Sequence, residues 1–127
     1  MRTSLTIALL LLGATIAAGM LTSSEVRRAS ERYVSAAEEL RIMTARQEWA
    51  RAADVVSAYI ESWQASEPAL QMLINHEDTD SVTLSLVLLQ AAIRSQDMAG
   101  CSAACAELRE NALHLWHRDA FTLANVL

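Results

Sequence analysis

The densest run of chemically capable side chains is Asn75-His76-Glu77-Asp78-Thr79-Asp80. One imidazole among carboxylates could ligate a divalent metal or move a proton. His76 and Asp80 are four residues apart, so a helix would set them on one side at a workable ligand spacing. With Glu77, and with His114 or His117 from elsewhere in the chain, they make the candidate set for a metal-binding protein or metal-dependent enzyme. The zinc-protease pattern, however, needs a second histidine where Asp80 stands. The competing reading is structural: Asn75 or Asp78 caps a helix, and the acids of its first turn meet the positive end of the helix dipole. That reading requires no ligand from a distant part of the chain, and it is the expectation here. On a continuous helix, Glu77 and Ser81 fall between Leu70, Leu73, Leu84 and Leu88. A carboxylate buried there without a partner would be costly, so Glu77 is expected either to have a partner or to lie outside the core.

Cys101 and Cys105 also stand four apart. On a helix they share a face but are poorly placed for an unstrained disulfide, and the usual redox spacing has two intervening residues where this has three. They are expected to pack as small apolar groups. His114 and His117 project opposite the Cys101–Leu108–Leu115 stripe, which makes them surface residues. Trp49, Trp63 and Trp116 are expected in the core or at helix joints. No glycine-rich phosphate loop and no serine nucleophile motif occurs. These readings leave no catalytic residues, cofactor or metal as the expectation.

The elements that must position these residues are helices. Among 127 residues there are 3 Gly and 1 Pro, too few for the turns of an all-β domain of this size. Hydrophobic residues make up 53%, mostly Ala and Leu, which are strong helix formers. The net charge is −5, every basic residue is Arg, and no basic stripe runs along the chain, so nucleic acid is not an expected partner.

Residues 3–24 carry no charge, and the run from Leu5 to Leu21 is almost wholly apolar. Roughly 20 helical residues cross a hydrocarbon core of about 30 Å. A cleaved signal peptide is the alternative, with Ala17-Ala18-Gly19 as its small-residue site. The apolar run exceeds the usual length of a signal core, which favours a retained single-pass anchor. Residues 1–23 are therefore read as the anchor or signal segment and 24–127 as a helical domain. Arg27, Arg28 and Arg32 outnumber Arg2, and basic residues alone would keep the domain in the cytoplasm. The short basic leader resembles an export signal, and an extracytoplasmic domain is the expectation. Gly13 and Ala17, like Ala14 and Ala18, form a small-residue face that would let two membrane helices approach closely.

Beyond the anchor, apolar spacing predicts three helices, over 24–64, 68–95 and 98–124, with Pro68 ending the first and Gln96-Asp97 forming a hairpin. The expected architecture is all-α: a transmembrane helix, then an antiparallel three-helix bundle with one long helix. The long helix would overhang its partners near the membrane. Val26, Ala29, Tyr33, Ala36, Leu40 and Met43 recur there at spacings of three and four, the pattern of a coiled-coil seam. Left uncovered, this stripe would be an interaction site, and Val26, Tyr33 and Leu40, with Gly13 and Ala17, would pair with a second copy or a larger membrane protein.

The chain resembles an uncharacterised bacterial family of small membrane-anchored helical proteins, through Trp49, Trp63, Leu73-Ile74-Asn75-His76-Glu77-Asp78, Leu84-Ser85-Leu86, Ala106-Glu107-Leu108-Arg109, His114 and Leu123-Ala124-Asn125-Val126-Leu127. The Asn-His-Glu run is the most specific of these. The lack of lysine and the Cys-Ser-Ala-Ala-Cys segment depart from the family pattern. The resemblance implies no activity, substrate or cofactor; it implies accessory partners of larger membrane proteins. Together these readings make a non-catalytic, membrane-anchored interaction protein the leading expectation, with the metal protein as the alternative.

Overall fold

A computed structural model describes the backbone of residues 1–126 and the side chains of residues 1–117. The family-like ending at 123–127 lies outside the described side chains. Four helices follow in order: α1 (Arg2–Ala45), α2 (Trp49–Gln71), α3 (His76–Arg94) and α4 (Met98–Val126). Each packs against its neighbours in a ring, α1 on α2, α2 on α3, α3 on α4 and α4 back on α1. The result is an antiparallel bundle of the up-down-up-down kind.

The all-α class and the long apolar N-terminal helix agree with the sequence reading. The helix boundaries do not, and the bundle has a fourth helix as a result. The helix expected over 24–64 breaks at Arg46-Gln47-Glu48, where Gln47 takes a left-handed φ of 58°. The Gln47 amide donates to the Thr44 carbonyl (3.0 Å) and the Glu48 amide to the Met43 carbonyl (3.0 Å). These two bonds make a Schellman C-cap, which satisfies the last carbonyls of α1 and turns the chain back. Gln96, with φ of 52°, repeats the geometry after α3: its amide donates to Ile93 and that of Asp97 to Ala92. Asp97 then caps α4 by accepting from the Gly100 amide at 3.0 Å. Pro68, expected to end a helix, lies inside α2. Its φ is already helical, its one missing donor falls within the final turn, and α2 runs on to Gln71.

Ending α1 at Ala45 changes the fate of the apolar stripe. The stripe does not overhang: α4 lies along the same length of α1, and the Arg27 guanidinium sits 5.9 Å over the Trp116 ring. Val26 and Leu40 are 0% exposed, and Tyr33, Ala36 and Met43 are buried with them. The expected open seam of Val26, Tyr33 and Leu40 is therefore ordinary core, because the part of α1 that carries it is covered by α2 and α4 packed alongside.

The core continues through Ala52, Val56 and Trp63 of α2, Val82, Leu86, Leu89 and Ile93 of α3, and Cys101, Cys105, Leu108, Ala112 and Leu115 of α4. On α3 the Val82–Leu86–Leu89–Ile93 face turns inward. Leu84, Val87 and Leu88 remain exposed. The apolar part of α1 is also uncovered. It is long and apolar enough to cross a membrane, with mean hydropathy 2.1 over an 18-residue window that is 0% buried.

Candidate functional site

The Asn75–Asp80 motif resolves into a helix cap. Asn75 has extended backbone angles, and its Oδ1 accepts the Glu77 amide at 3.2 Å. Glu77 and Asp78 occupy the first turn, where the helix dipole favours negative charge, and Arg94 occupies the last. The residue of this segment that enters the core is Thr79, whose hydroxyl donates to the His76 carbonyl at 2.9 Å. Glu77 is exposed, so it needs no buried partner.

Between this turn and α4 lies an open cleft of about 390 Å³, lined by Glu77, Asp78, Asp80, Ser81, Asn111 and His114. The fold thus brings His114 to the acids, as the metal reading required, but His76 does not line the cleft. Among the described residues no group of three or more His, Cys, Asp or Glu side chains could hold a metal ion. The candidate set of His76, Glu77, Asp80 and His114, given by the alternative reading, is not assembled, because capping by Asn75 puts Thr79 and Val82 on the inward face of α3. The nearby hydroxyls are engaged elsewhere. Ser81 Oγ donates to the Glu77 carbonyl (2.8 Å) and Ser85 Oγ to the Ser81 carbonyl (2.9 Å). Asn111 Nδ2 bridges α4 to α3 by donating to Ser85 Oγ (2.7 Å) and the Ser81 carbonyl (3.2 Å). No described imidazole hydrogen-bonds these hydroxyls, and the cleft offers no base–nucleophile pair.

The cysteines are buried and free. Burial, then Cys101 next to it, pushes the Cys105 thiol up to about 12, and burial likewise raises Cys101, with Asp97 adding to it. Neither is a ready thiolate, which fits packing and not redox chemistry.

A second groove of about 340 Å³, at the end of the bundle nearer the apolar span, lies between α1 and α2, its walls formed by Glu25, Arg28, Ala29 and Arg32 on one side and by Ala69, Leu70 and Leu73 on the other. Behind it runs a polar network that sequence reasoning missed. Tyr33 OH donates to the Tyr59 carbonyl (3.2 Å), Tyr59 OH donates to Glu39 Oε2 (2.6 Å), and the Tyr33 ring meets the Trp63 ring edge-on at 5.0 Å. Trp63 Nε1 donates to Thr83 Oγ1 (2.8 Å), which donates in turn to Glu67 Oε1 (2.9 Å). Burial, followed by the hydrogen bond to the Glu39 carboxylate, pushes Tyr59 up to about 12. Among the described residues every buried side-chain nitrogen and oxygen has a partner. The only sequence signal for this network was an amphipathic aromatic at each helix–helix level, since Tyr and Trp seek a hydrogen-bond partner when buried.

Fold and site define an antiparallel helical bundle carried on a long apolar helix, with a capped turn where a metal set was the alternative. The chain belongs to the family described as domain of unknown function (DUF4363), whose model matches residues 20–126. No curated protein and no solved structure is found similar to it.

Proposed function

We propose that this protein is a non-catalytic, membrane-anchored accessory protein whose bundle is held at a fixed distance and angle from the bilayer. One observation carries the reading: α1 runs without a break for 44 residues, from an unburied apolar span into the middle of the bundle core. A flexible tether would let the domain wander, whereas a continuous helix of about 66 Å makes domain and anchor one rigid body. The partner is a second copy or a larger membrane protein, met through the Gly13 and Ala17 face of the span. A Cβ at Gly13 would meet nothing within 4 Å in the isolated chain. A substitution there is therefore silent unless another helix packs against it. The bundle is proposed to face the extracytoplasmic side, on the strength of the short basic leader.

The experiment is affinity purification from native membranes, comparing wild type with Gly13→Leu. Retention in the pellet through carbonate extraction is expected, with a membrane protein or a second copy co-purifying with wild type and lost with the variant. A soluble mature form beginning near Met20 would overturn the anchor. Equal recovery of partners by both proteins would overturn the Gly13 surface. A cysteine at Gln96, reacting with impermeant reagents on intact cells, checks the orientation.

A further inference from the structure

We infer that the turn between α2 and α3 is a second, shallow membrane contact, in which Met72 and Leu73 enter the interfacial layer of a lipid bilayer beside the anchor. The inference rests on the anchor reading proposed above. Its first support is register. Tyr33 bonds to Tyr59 and stacks on Trp63, so α2 descends antiparallel to α1, and the groove pairs Glu25 and Ala29 with Ala69, Leu70 and Leu73. From the level of Trp63, the nine residues to Met72 return about 14 Å toward the anchor at 1.5 Å each. That brings the turn level with residues 22–25 of α1, where the apolar run ends and Arg27 and Arg28 begin.

The second support is chemistry. Met72 is 86% exposed, more than Leu5, Leu9 or Leu10 of the span itself, and Leu73 is partly exposed beside it. The backbone of the turn does not need water: the amides of Met72, Leu73 and Ile74 all donate back to Ala69 or Leu70 carbonyls. An exposed apolar tip with its amides already bonded can enter the boundary between headgroups and acyl chains without leaving donors unpaired. The polar start of α3 limits the depth of entry: His76 and Glu77 are exposed there and stay at the level of the headgroups. At the opposite end of the bundle the two turns carry Arg46-Gln47-Glu48 and Ser95-Gln96-Asp97; Met98 is 45% exposed beside the second, but among the described turns only Met72-Leu73 puts apolar side chains within the turn itself. The occupant is the bilayer itself, because the position of the tip is set by a helix that ends in it.

The full chain is reconstituted in phosphatidylcholine nanodiscs, and Met72→Cys is labelled with an environment-sensitive fluorophore. Cys101 and Cys105 are buried and remain unlabelled in the folded protein. Labels at Ile16→Cys and Gln96→Cys serve as deep and distal references, and circular dichroism checks that each variant is folded. Lipids carrying a spin label high on the acyl chain are expected to quench about half or more of the Met72 signal and to leave Gln96 unquenched. A Met72 label as unquenched as Gln96 overturns the contact, whatever Ile16 does. Ile16 reports separately on the anchor. Quenching there with none at Met72 leaves the anchor standing without the second contact. Quenching at Met72 with none at Ile16 keeps the contact and removes the anchor. Because the discs hold no other protein, a turn that serves only a protein partner gives the unquenched result.

Discussion

The two halves of α1 belong to one unbroken helix and differ in fate. Residues 3–24 carry no charge and are rich in Leu and Ala, whereas residues 25–45 carry eight charged side chains beside the apolar stripe from Val26 to Met43. The first half is apolar all round and touches almost nothing in the bundle; the second is apolar on one side and wholly covered there. What separates them is the distribution of charge around the helix. Arg27, Arg28, Glu31, Glu38 and Arg41 ring the outer face of the second half, joined by exposed pairs such as Arg41–Glu38 at 2.7 Å. A helix with one polar face needs protein on the other, whereas a helix apolar all round, as here, is long and apolar enough to cross a membrane.

The largest expected effects test this contrast with one substitution made twice. Leu40→Ala should destabilise the bundle by about 2–5 kcal/mol, since it opens a cavity in a packed core. Leu11→Ala should change bundle stability by no more than about 0.5 kcal/mol, as a surface change would. Denaturant titration followed by circular dichroism in mild detergent reads both, and equal losses would mean that the halves are not in different environments.

A next, smaller effect sharpens what holds the covered half. Thr83→Val removes the acceptor for Trp63 Nε1, which then lacks a partner, and one of the two donors to Glu67 Oε1, which keeps its bond from Gln71 Nε2. The expected loss is about 1–3 kcal/mol. Trp63→Phe in the same background should recover part of it, and a double-mutant cycle measures the coupling.

Alkaline pH probes the same core through Tyr59 and Cys105. Both are raised in the fold, from 10.0 and 9.0 respectively, to about 12. For a raised pKa the folded state holds its proton longer than the unfolded chain. The associated stability is complete below the unfolded values and is lost as pH rises through the folded ones. Melting temperature should therefore fall between about pH 9 and 12, and Tyr59→Phe together with Cys105→Ala should flatten that decline. An unchanged slope would show that neither group is buried as described.

The smallest effects belong to the motif that looked most like chemistry. Asn75→Ala should cost about 1 kcal/mol through loss of the cap. Glu77→Ala should cost about 0.3–1 kcal/mol, as an exposed charge at a helix N-terminus does. Added Zn²⁺ should leave the melts of wild type and both variants unmoved. Stabilisation by metal that Glu77→Ala abolishes would restore the metal reading.

How much was legible varies residue by residue. The a/d-like stripe from Val26 to Met43 was readable, because periodicity reports which face is apolar. What covers that face was not, because cover depends on where the neighbouring helices start and stop. The hairpin at Gln96-Asp97 was visible and its counterpart at Gln47-Glu48 was not, although both use a left-handed glutamine. Glutamine carries no turn signal of its own; Asp97 supplies a capping residue that Glu48, with no side-chain cap bond, does not. Pro68 misled because proline ends helices by rule, while here it falls too near a natural end to matter. The Asn75 cap was legible, since the bond is local; the Tyr33–Tyr59–Glu39 and Trp63–Thr83–Glu67 networks were not, since each joins residues at least sixteen apart in two helices.

By itself, then, the sequence determined the local terms: helices throughout, an apolar span at the N-terminus, the inward identity of most core positions and the capped start of α3. These come from propensity, periodicity and bonds within a few residues. Only the tertiary structure decided the rest. It bent the long helix into two, buried Val26, Tyr33 and Leu40, brought His114 to the acids while leaving His76 aside, and set Met72 level with the end of the apolar span. Each of these depends on the antiparallel register of separate helices, which is chosen by the packing of all four at once and is carried by no single segment.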